Sequence, residues 1–256
     1  MFKEILKEFP VKGSYDTYIE PFSGGYSVGL QTPDDLIAPI EIYNDLYSNV
    51  YSLFKVISNS MLFEQFKILC DCAYYSEEMR REFKKKLELN ELSDVYRAFY
   101  YFYVNRTSHN GNGGFSKNTV IRRNMCKSVS DMLSTVDRLP ELHQRLSRLI
   151  VMNRDGVELI NKYNTDNVFL YCDPPYEHST RSTMRYAVDM DTNKQIEFLN
   201  ACINSNAKLL ISGYDCDLYE DYLVSKGGFK KIQFNVNTMD GAYKKQDKTE
   251  TLWKNY

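Results

Sequence analysis

A uniformly apolar segment of the chain ends abruptly in an acid and two prolines. It comprises Val168–Cys172 and is followed by Asp173, Pro174 and Pro175. Proline fixes its own backbone torsion and cannot donate a hydrogen bond to a strand ladder. The pattern therefore predicts a buried strand that stops at Cys172 and a rigid corner that begins at Asp173. In open α/β sheets, such corners lie at the carboxyl edge, where ligands bind.

Strand and helix patterns alternate on both sides of this corner. The predicted strands are 17–22, 38–45, 148–155, 168–172 and 207–215, followed by 229–236 and 249–256, which a polar loop, 237–248, connects. The predicted helices between them are 3–9, 46–57, 156–163, 192–205 and 218–228. Alternation of this kind predicts an α/β fold with a doubly wound, mostly parallel sheet and a terminal antiparallel hairpin.

A long segment after the second predicted strand has helical patterns without recognisable strands. Ser76 is a predicted N-cap within it. One helix face carries Leu92, Val95, Tyr96, Phe99, Phe102 and Tyr103. The aromatic cluster 99–103 is predicted to be helical core rather than a base-stacking surface. We therefore expect two domains, in which residues 1–57 and 149–256 form the sheet domain and 58–148 is a helical insertion.

The chain is nearly neutral, with 32 Lys and Arg against 34 Asp and Glu, but its charges are unevenly distributed. Between Met79 and Arg154 there are 15 basic and 7 acidic residues, whereas the rest of the chain holds 17 and 27. Two interpretations of the basic segment are open at this point. Its side chains can cover solvated helix faces, or they can face the phosphates of a nucleic acid.

The six cysteines and three histidines show no metal-binding spacing. No Cys-x-x-Cys pair occurs, so free, buried thiols are the expected state of the cysteines. No apolar run reaches the length of a membrane span, and the charged N-terminal residues lack the pattern of a secretory signal. We expect a cytoplasmic protein with neither a metal nor a membrane partner.

A glycine-containing turn follows the first predicted strand. Its residues, Phe22, Ser23, Gly24 and Gly25, let the backbone approach a ligand closely. Asp45 ends the second predicted strand about 20 residues later, where an acidic side chain can bind both hydroxyls of a ribose. The chain lacks a complete Gly-x-Gly-x-x-Gly motif and a phosphate-binding lysine. A nucleoside with little negative charge therefore fits this turn better than a dinucleotide or a triphosphate.

Two further acids follow predicted strands. Asp155 can cap the next helix, bind a ligand, or do both. The carboxylate of Asp173 and the carbonyl of Pro174 offer two acceptors for the hydrogens of an aromatic amine, and Tyr176 can stack on its ring. An amine held in this way can attack a methyl sulfonium. In duplex DNA, the amine is reachable only if its base is flipped out of the stack.

Together these segments resemble the Dam-like adenine-N6 DNA methyltransferases of the D12 class (α-group). The resemblance is carried by IEPFSGG, IYND, RDG and LYCDPPY, in this order and with a long insertion before the last two, and by ISGYD and TETLWKNY near the end. It covers roughly residues 1–60 and 148–256. It implies a Rossmann-like methyltransferase fold and the site-specific transfer of a methyl group from S-adenosyl-L-methionine to a flipped-out adenine in double-stranded DNA.

The resemblance also implies roles for individual residues. The implied cofactor-binding residues are Phe22, Ser23, Gly24, Gly25, Asp45, which would bind the ribose, and Asp155, which would contact the cofactor's adenine. The implied target-adenine corner is Asp173, Pro174, Pro175 and Tyr176. The helical insertion then resembles a target-recognition region, with Arg106, Asn110, Asn112, Lys117, Arg122 and Arg123 as candidates for DNA contact. The resemblance also implies a bacterial or phage-encoded protein, and we expect a monomer or a weak dimer.

The sequence departs from the family pattern at one place. The family normally has a short segment of the type Tyr-x-Gly-Gly-Lys before the helix that corresponds to MFKEILKEF, where this sequence starts. One alternative is therefore a DNA-binding relative with impaired catalysis. Another is a methyltransferase that acts on cytosine N4 or on RNA, although Asp rather than Ser at position 173 favours adenine.

Overall fold

A computed structural model describes residues 2–89, 91–109, 113–175, 190–239 and 245–256. The chain divides into two compact units. One, the sheet unit, comprises Met1–Tyr47 and Met152–Tyr256, and the other, the helical unit, comprises Ser48–Val151. The first boundary lies at 47, where the sequence pattern placed it at 57, because the helix that follows packs within the helical unit.

The strands of the described chain are β1 Thr17–Glu20, β2 Ile40–Asn44, β3 Ile121–Arg122, β4 Met125–Cys126, β5 Ile150–Met152, β6 Val168–Cys172, β7 Lys208–Gly213, β8 Lys230–Met239 and β9 Lys245–Lys254. Within the described residues, seven of them form one sheet in the order β5-β2-β1-β6-β7-β9-β8. β1 pairs in parallel with β2 and β6, β6 pairs in parallel with β7, and β9 is antiparallel to β7 and β8. The predicted fold class is confirmed.

The helices of the described chain are α1 Phe2–Lys7, α2 Ser48–Ser58, α3 Ser60–Cys72, α4 Glu77–Lys86, α5 Asp94–Arg106, α6 Lys127–Asp137, α7 Leu139–Leu146, α8 Gly156–Lys162, α9 Thr192–Ile203 and α10 Asp217–Tyr219. A π-helical segment, Glu220–Lys226, continues α10. Among these described helices, none has both the length and the apolar character needed to cross a membrane.

The two faces of the sheet differ in chemistry. One face carries aliphatic residues such as Ile19, Ile42 and Leu170, which pack against α8, α9 and the π-helical segment in a continuous apolar core. On the other face, Tyr18 lies opposite Glu41, and Glu20 lies opposite Tyr43. Successive side chains along a strand point to opposite faces of the sheet. β1 and β2 therefore place apolar side chains on one face and acidic and aromatic side chains on the other.

Aromatic rings form the core of the helical unit. Phe83 of α4 lies 5.2, 4.5 and 5.1 Å from the ring centroids of Phe99, Tyr100 and Tyr103 of α5. All four side chains are buried, which confirms the predicted core role of the cluster 99–103. The N-cap prediction is also confirmed, because the hydroxyl of Ser76 accepts from the first turn of α4.

The structure corrects the prediction that the helical segment contains no strands. β3 and β4 form a two-stranded antiparallel hairpin. Its turn residues, Arg123 and Asn124, have positive φ angles of 51° and 57°, as in the type I′ turns that match the twist of paired strands. The turn contains no glycine, and each strand has only two residues, so neither a turn signal nor an alternating pattern marks it in the sequence.

Three other predictions need correction. The loop predicted at 237–248 is largely strand, because the backbone pairing of β8 and β9 runs on to Met239 and Lys245 and ladder hydrogen bonds do not depend on side-chain polarity. The strand predicted at 148–155 is reduced to β5, since residues 148–149 and 153–155 do not continue the strand. The cysteines are free, but not all of them are buried: Cys126 and Cys216 are half-buried, and Cys72 is exposed because the end of α3 faces solvent.

Candidate active site

Four neighbouring strands end at one edge of the sheet, and the candidate residues lie there. The carboxyl ends of parallel strands share an edge, and β1, β2 and β6 are parallel neighbours with β5 beside β2. The predicted site residues at this edge are Phe22, Ser23, Gly24, Gly25, Asp45, Asp155, Asp173, Pro174 and Pro175. Residues 20–25 are called the glycine corner below, and residues 173–175 the proline corner.

The glycine corner is a tight turn with open space beside it. Gly24 has a φ of +49°, a conformation that glycine adopts without the strain of a Cβ. A Cβ placed on Gly24 would meet no atom within 4 Å. Its N–H donates to Oδ2 of Asp45 at 2.8 Å, and its carbonyl accepts from the hydroxyl of Tyr43 at 3.1 Å. The turn is thus held from β2 while its outer side stays accessible to a ligand.

Asn44, which the sequence patterns did not single out, ties three chain segments together. Its side-chain Nδ2 donates to the carbonyls of Pro21 at 2.8 Å and Arg154 at 2.9 Å, and its Oδ1 accepts from the N–H of Arg154 at 2.9 Å. Asn44 is fully buried. One amide therefore fixes the glycine corner relative to the segment that carries Asp155.

Ser23 completes the internal bonding of the glycine corner. Its hydroxyl donates to the carbonyl of Glu20 at 2.7 Å and accepts from the N–H of Asn44 at 3.1 Å. The side chain is buried. In this structure the hydroxyl of Ser23 therefore holds the turn in shape.

Glu20 is a buried carboxyl group that the sequence reasoning also missed. It is 3% exposed, and its Oε1 accepts from the hydroxyl of Tyr18 at 2.6 Å and the N–H of Gly29 at 2.8 Å. Burial, together with the charges of Asp173 and Glu41, raises the pKa of Glu20 to about 8, and the two hydrogen bonds oppose this shift. An acid within an aromatic strand, TYIE, is the signal that could have indicated this buried group.

Asp45 and Asp155 are partly buried carboxylates whose oxygens already accept backbone hydrogen bonds. Asp45 accepts from Gly24 through Oδ2 and from Tyr47 through Oδ1, the latter at 2.7 Å. Burial raises the pKa of Asp45, and the two N–H groups oppose this shift. Asp155 caps α8, as predicted, by accepting from Val157 at 2.8 Å, and its Oδ2 lies 3.4 Å from Nζ of Lys194. A carboxylate oxygen has further lone pairs, so both groups can still bind hydroxyls or amines.

Phe22 lies directly on the backbone of α8. A Cβ on Gly156 would come within 2.5 Å of the Phe22 ring, so glycine is required for this approach. The ring also meets Phe198 edge to face, with centroids 5.6 Å apart. Phe22 is half-buried and presents a fixed aromatic surface between the glycine corner and Asp155.

The proline corner follows β6 directly. Cys172 and Pro174 are buried, whereas Asp173 and Pro175 are half-buried at the edge. The hydroxyl of Tyr171 lies 2.9 Å from that of Ser212. Burial, and then the charge of Asp173, raise the pKa of Tyr171.

The described candidates for DNA contact are exposed side chains of the helical unit. Arg122 and Arg123 belong to the β3–β4 hairpin, where Arg122 pairs with Asp131 and Arg123 donates to Ser134 at 3.0 Å. Lys117 pairs with Glu77 at 2.7 Å. The guanidinium of Arg106, at the end of α5, lies 6.0 Å from the ring centroid of Phe102. Exposed ion pairs contribute only about 0 to 1 kcal/mol, so a phosphate can replace the carboxylate partners at little cost.

Three predicted residues lie outside the described part of the chain. They are Tyr176, Asn110 and Asn112. Among the residues that the structure describes, no group of His, Cys, Asp and Glu side chains is arranged to hold a metal ion.

The geometry agrees with comparisons to known proteins. The family model of the D12 class N6 adenine-specific DNA methyltransferases matches residues 1–249. The type II methyltransferase M.MjaIII of Methanocaldococcus jannaschii is 26% identical to this chain over 241 residues, which cover 86% of the chain and 83% of that protein. Enzymes of this family in general use S-adenosylmethionine and act on DNA. The chain therefore belongs to the D12 class N6 adenine-specific DNA methyltransferases.

Proposed function

We propose that this methyltransferase acts at a specific DNA sequence and methylates a flipped-out adenine held by the proline corner, with S-adenosylmethionine at the glycine corner. The observation that carries the proposal is the adjacency of the two corners. β1 and β6 are parallel neighbours, paired through Ile19 and Leu170. A methyl donor bound after β1 and an acceptor bound after β6 would therefore lie at the same edge of the sheet.

The chemistry of the described edge fits S-adenosylmethionine. Its sulfonium and ammonium groups outnumber its carboxylate, so the cofactor is a net cation, and the edge carries the carboxylates of Asp45, Asp155 and Asp173. Such an edge disfavours a polyphosphate. When bound, the cofactor supplies an electrophilic methyl group. The open space beside Gly24 and the exposed Gly25 would accommodate it.

Individual residues of this edge have separate roles in the proposal. Asp45 would accept from the ribose hydroxyls, and Asp155, with Phe22 beside it, would contact the cofactor's adenine. Gly24 and Gly25 would allow close approach of the backbone. Ser23 would support the turn, since its hydroxyl is engaged within the protein.

Asp173 and Pro174 would bind the target amine. The carboxylate of Asp173 and the carbonyl of Pro174 are both acceptors, so together they can receive the two N6 hydrogens. These hydrogen bonds leave the nitrogen lone pair directed at the methyl donor and increase its electron density. Direct transfer needs no covalent intermediate with the enzyme: an N6–carbon bond would form as the carbon–sulfur bond of the sulfonium breaks, and the neutral thioether would leave. The extra N6 proton would pass to the Asp173 carboxylate or to water. Tyr176 would stack on the adenine, a role that rests on the sequence pattern.

The helical unit would bind the DNA. The exposed cations Arg106, Lys117, Arg122 and Arg123 would contact phosphates or base edges, and the proposal extends to Asn110 and Asn112 from their residue types. A two-stranded ribbon fits the major groove of B-form DNA, which favours the β3–β4 hairpin as a reader of sequence. Because phosphate contacts release counterions, binding should weaken steeply with salt. Action as a cytoplasmic monomer or weak dimer stays a prediction.

Methyl transfer from tritiated S-adenosylmethionine to unmethylated duplex DNA tests the proposal, with nucleoside analysis of the product. We expect N6-methyladenine from the wild type and a loss of about 100-fold or more in kcat for Asp173→Ala, because an acceptor of the reacting amine is removed. Asp34→Ala, an exposed acid in a loop, is the matched control and should leave activity unchanged. Undiminished transfer by Asp173→Ala, or a methylated base other than adenine, would overturn the proposal.

A further inference from the structure

A fully buried glutamine holds the carbonyl that ends the proline corner. Gln195 lies in the first turn of α9 and is 0% exposed. Its Nε2 donates to the carbonyl of Pro175 at 2.6 Å. Burying an amide without partners would be unfavourable by several kcal/mol on transfer scales, so the position of Gln195 depends on this bond.

The other end of the Gln195 amide is held as well. The hydroxyl of Tyr219 donates to its Oε1 at 2.8 Å. A carbonyl can only accept, so Nε2 must face Pro175, and Oε1 then faces the hydroxyl. Tyr219 is itself 4% exposed and packs on Trp253, with ring centroids 5.2 Å apart. The amide therefore has one orientation, fixed from a buried tyrosine of α10.

The backbone of the proline corner leaves one torsion unrestricted. The rings of Pro174 and Pro175 fix their φ angles, and a residue that precedes proline is confined to extended conformations, which restricts φ and ψ of Asp173 and ψ of Pro174. Only ψ of Pro175 is restricted by neither effect. Rotation about ψ swings the Pro175 carbonyl, so the hydrogen bond from Gln195 fixes the direction of this carbonyl at the end of the corner.

We propose that Gln195 is a positioning residue for methyl transfer, with Tyr219 supporting its orientation. The inference rests on the proposed function of the proline corner. Gln195 acts through Pro175 on the placement of the target adenine and touches neither substrate. Its loss should reduce turnover and leave cofactor affinity unchanged, because Gln195 contacts no residue of the glycine corner among its described hydrogen bonds.

Gln195→Glu separates positioning from simple packing, because only a protonated carboxyl group can donate to the Pro175 carbonyl. Burial would raise the pKa of a carboxyl group at this position. The titratable groups around Tyr219 are the thiols of Cys202, Cys216 and Cys172 and the carboxylate of Asp173, and those on α9 beside position 195 are Lys194 and Glu197. These titratable groups are the same in the wild type and in Gln195→Glu, so a difference between the two pH profiles reports on position 195.

We expect the kcat of Gln195→Glu to approach the wild-type value at low pH and to fall at least about 10-fold relative to wild type as the pH rises. Cofactor affinity, measured by calorimetry across the same range, should follow the wild type. A kcat profile parallel to that of the wild type would overturn the inference.

Truncation provides the second measurement. Gln195→Ala should lower kcat by about 10- to 100-fold, since small misplacements of reacting groups have effects of this size, with cofactor Kd unchanged within about twofold. Tyr219→Phe, which keeps the ring, should have a smaller effect in the same direction. Asn193→Ala, an exposed residue of the same helix turn, is the control.

The possible failures are distinguishable. Methyl transfer by the wild type with an unchanged kcat in Gln195→Ala and Tyr219→Phe would overturn the positioning role alone. An equal loss of cofactor affinity in both variants would do the same, since it would indicate a general structural role. Absence of transfer by the wild type would overturn the proposed function and this inference together.

Discussion

The glycine corner and the proline corner end adjacent strands but are fixed by different means. In the glycine corner, side chains hold the backbone, since Asn44, Ser23 and Asp45 satisfy the groups that the turn exposes. In the proline corner, covalent rings restrict the backbone, and a hydrogen bond from Gln195 holds the Pro175 carbonyl, whose direction the rings leave open. One corner is rigid through its hydrogen-bond network and the other through its own covalent structure.

This difference has an energetic consequence. Removing a side chain from the glycine corner leaves several buried polar groups without partners, which costs folding free energy. Replacing Pro175 of the proline corner leaves no existing buried group without its partner, adds one backbone N–H at a half-buried position, and mainly increases backbone freedom. We therefore expect changes in the glycine corner to reduce stability first, and changes in the proline corner to reduce turnover first.

Asn44→Ala should have the largest effect on stability. It leaves two carbonyls and one N–H without their side-chain partners around Pro21 and Arg154, and each unsatisfied buried group costs about 1 to 3 kcal/mol. We expect the free energy of unfolding in urea to fall by about 3 kcal/mol or more. Asn153→Ala is a matched control, because this exposed amide also donates to one backbone carbonyl, that of Asp45. A loss as small as that of the control would contradict the role of Asn44.

Gly156→Ala should be the next most damaging change. The added Cβ would lie 2.5 Å from the Phe22 ring, so the ring or the start of α8 must move. Overpacking of this kind costs about 1 to 3 kcal/mol. The displaced ring should also weaken S-adenosylmethionine binding in calorimetry. Gly25→Ala, whose Cβ would meet only the hydroxyl of Ser27 at 3.7 Å, should change stability much less, and equal losses would argue against the close approach.

Local sequence patterns predicted the turn of the glycine corner and the acid that binds it. The residues that support the site depend on contacts with distant parts of the chain. The turn 22–25 and the acid at 45 are visible because glycine and strand-terminal acids have local signatures. The role of Asn44 depends on Arg154, 110 residues away along the chain, and that of Gln195 depends on Pro175 and Tyr219. No periodicity encodes such partners, so the residues that support the site became apparent only in three dimensions.

The fold likewise has parts that local sequence patterns predict and parts that they do not. Alternating strand and helix patterns predicted the parallel sheet because each element is long enough to show its period. The β3–β4 hairpin escaped prediction, since strands of two residues have no period and its turn uses Arg123 and Asn124 in place of glycine. Pairing extended β8 and β9 into residues whose polar composition favours a loop.

The stability of Glu20→Gln, compared with that of the wild type at different pH values, tests how protonation of Glu20 stabilises the glycine corner. The folded-state pKa of Glu20 is about 8, against an ordinary value of 4.5, so the folded protein keeps a proton that the unfolded chain loses. The stabilisation that this bound proton provides is complete below about pH 4.5 and is lost as the pH rises toward 8. We expect the unfolding free energy of wild type, relative to Glu20→Gln, to fall by up to about 1.4 kcal/mol per pH unit in this window.

The neutral amide of Glu20→Gln can still accept from Tyr18 and Gly29, so the glycine corner should remain intact. Urea titrations at several pH values would measure the difference between the two proteins. Glu64→Gln, an exposed residue of α3, should show no such pH-dependent difference. A constant difference between wild type and Glu20→Gln would show that Glu20 is ionised in the folded protein.

Pro175→Ala should have the smallest effect on stability and so provides the sharpest contrast with Asn44→Ala. Alanine can adopt the φ angle of the proline, and the carbonyl that binds Gln195 is retained, so the unfolding free energy should fall by no more than about 1 kcal/mol. The freed φ angle should nevertheless loosen the corner and lower kcat by about 10-fold, with cofactor affinity unchanged. Urea unfolding and steady-state methylation of the same preparation would measure both. A loss of stability without loss of turnover would reverse the distinction between the two corners, because the prolines would then serve folding and the hydrogen bond from Gln195 alone would shape the site.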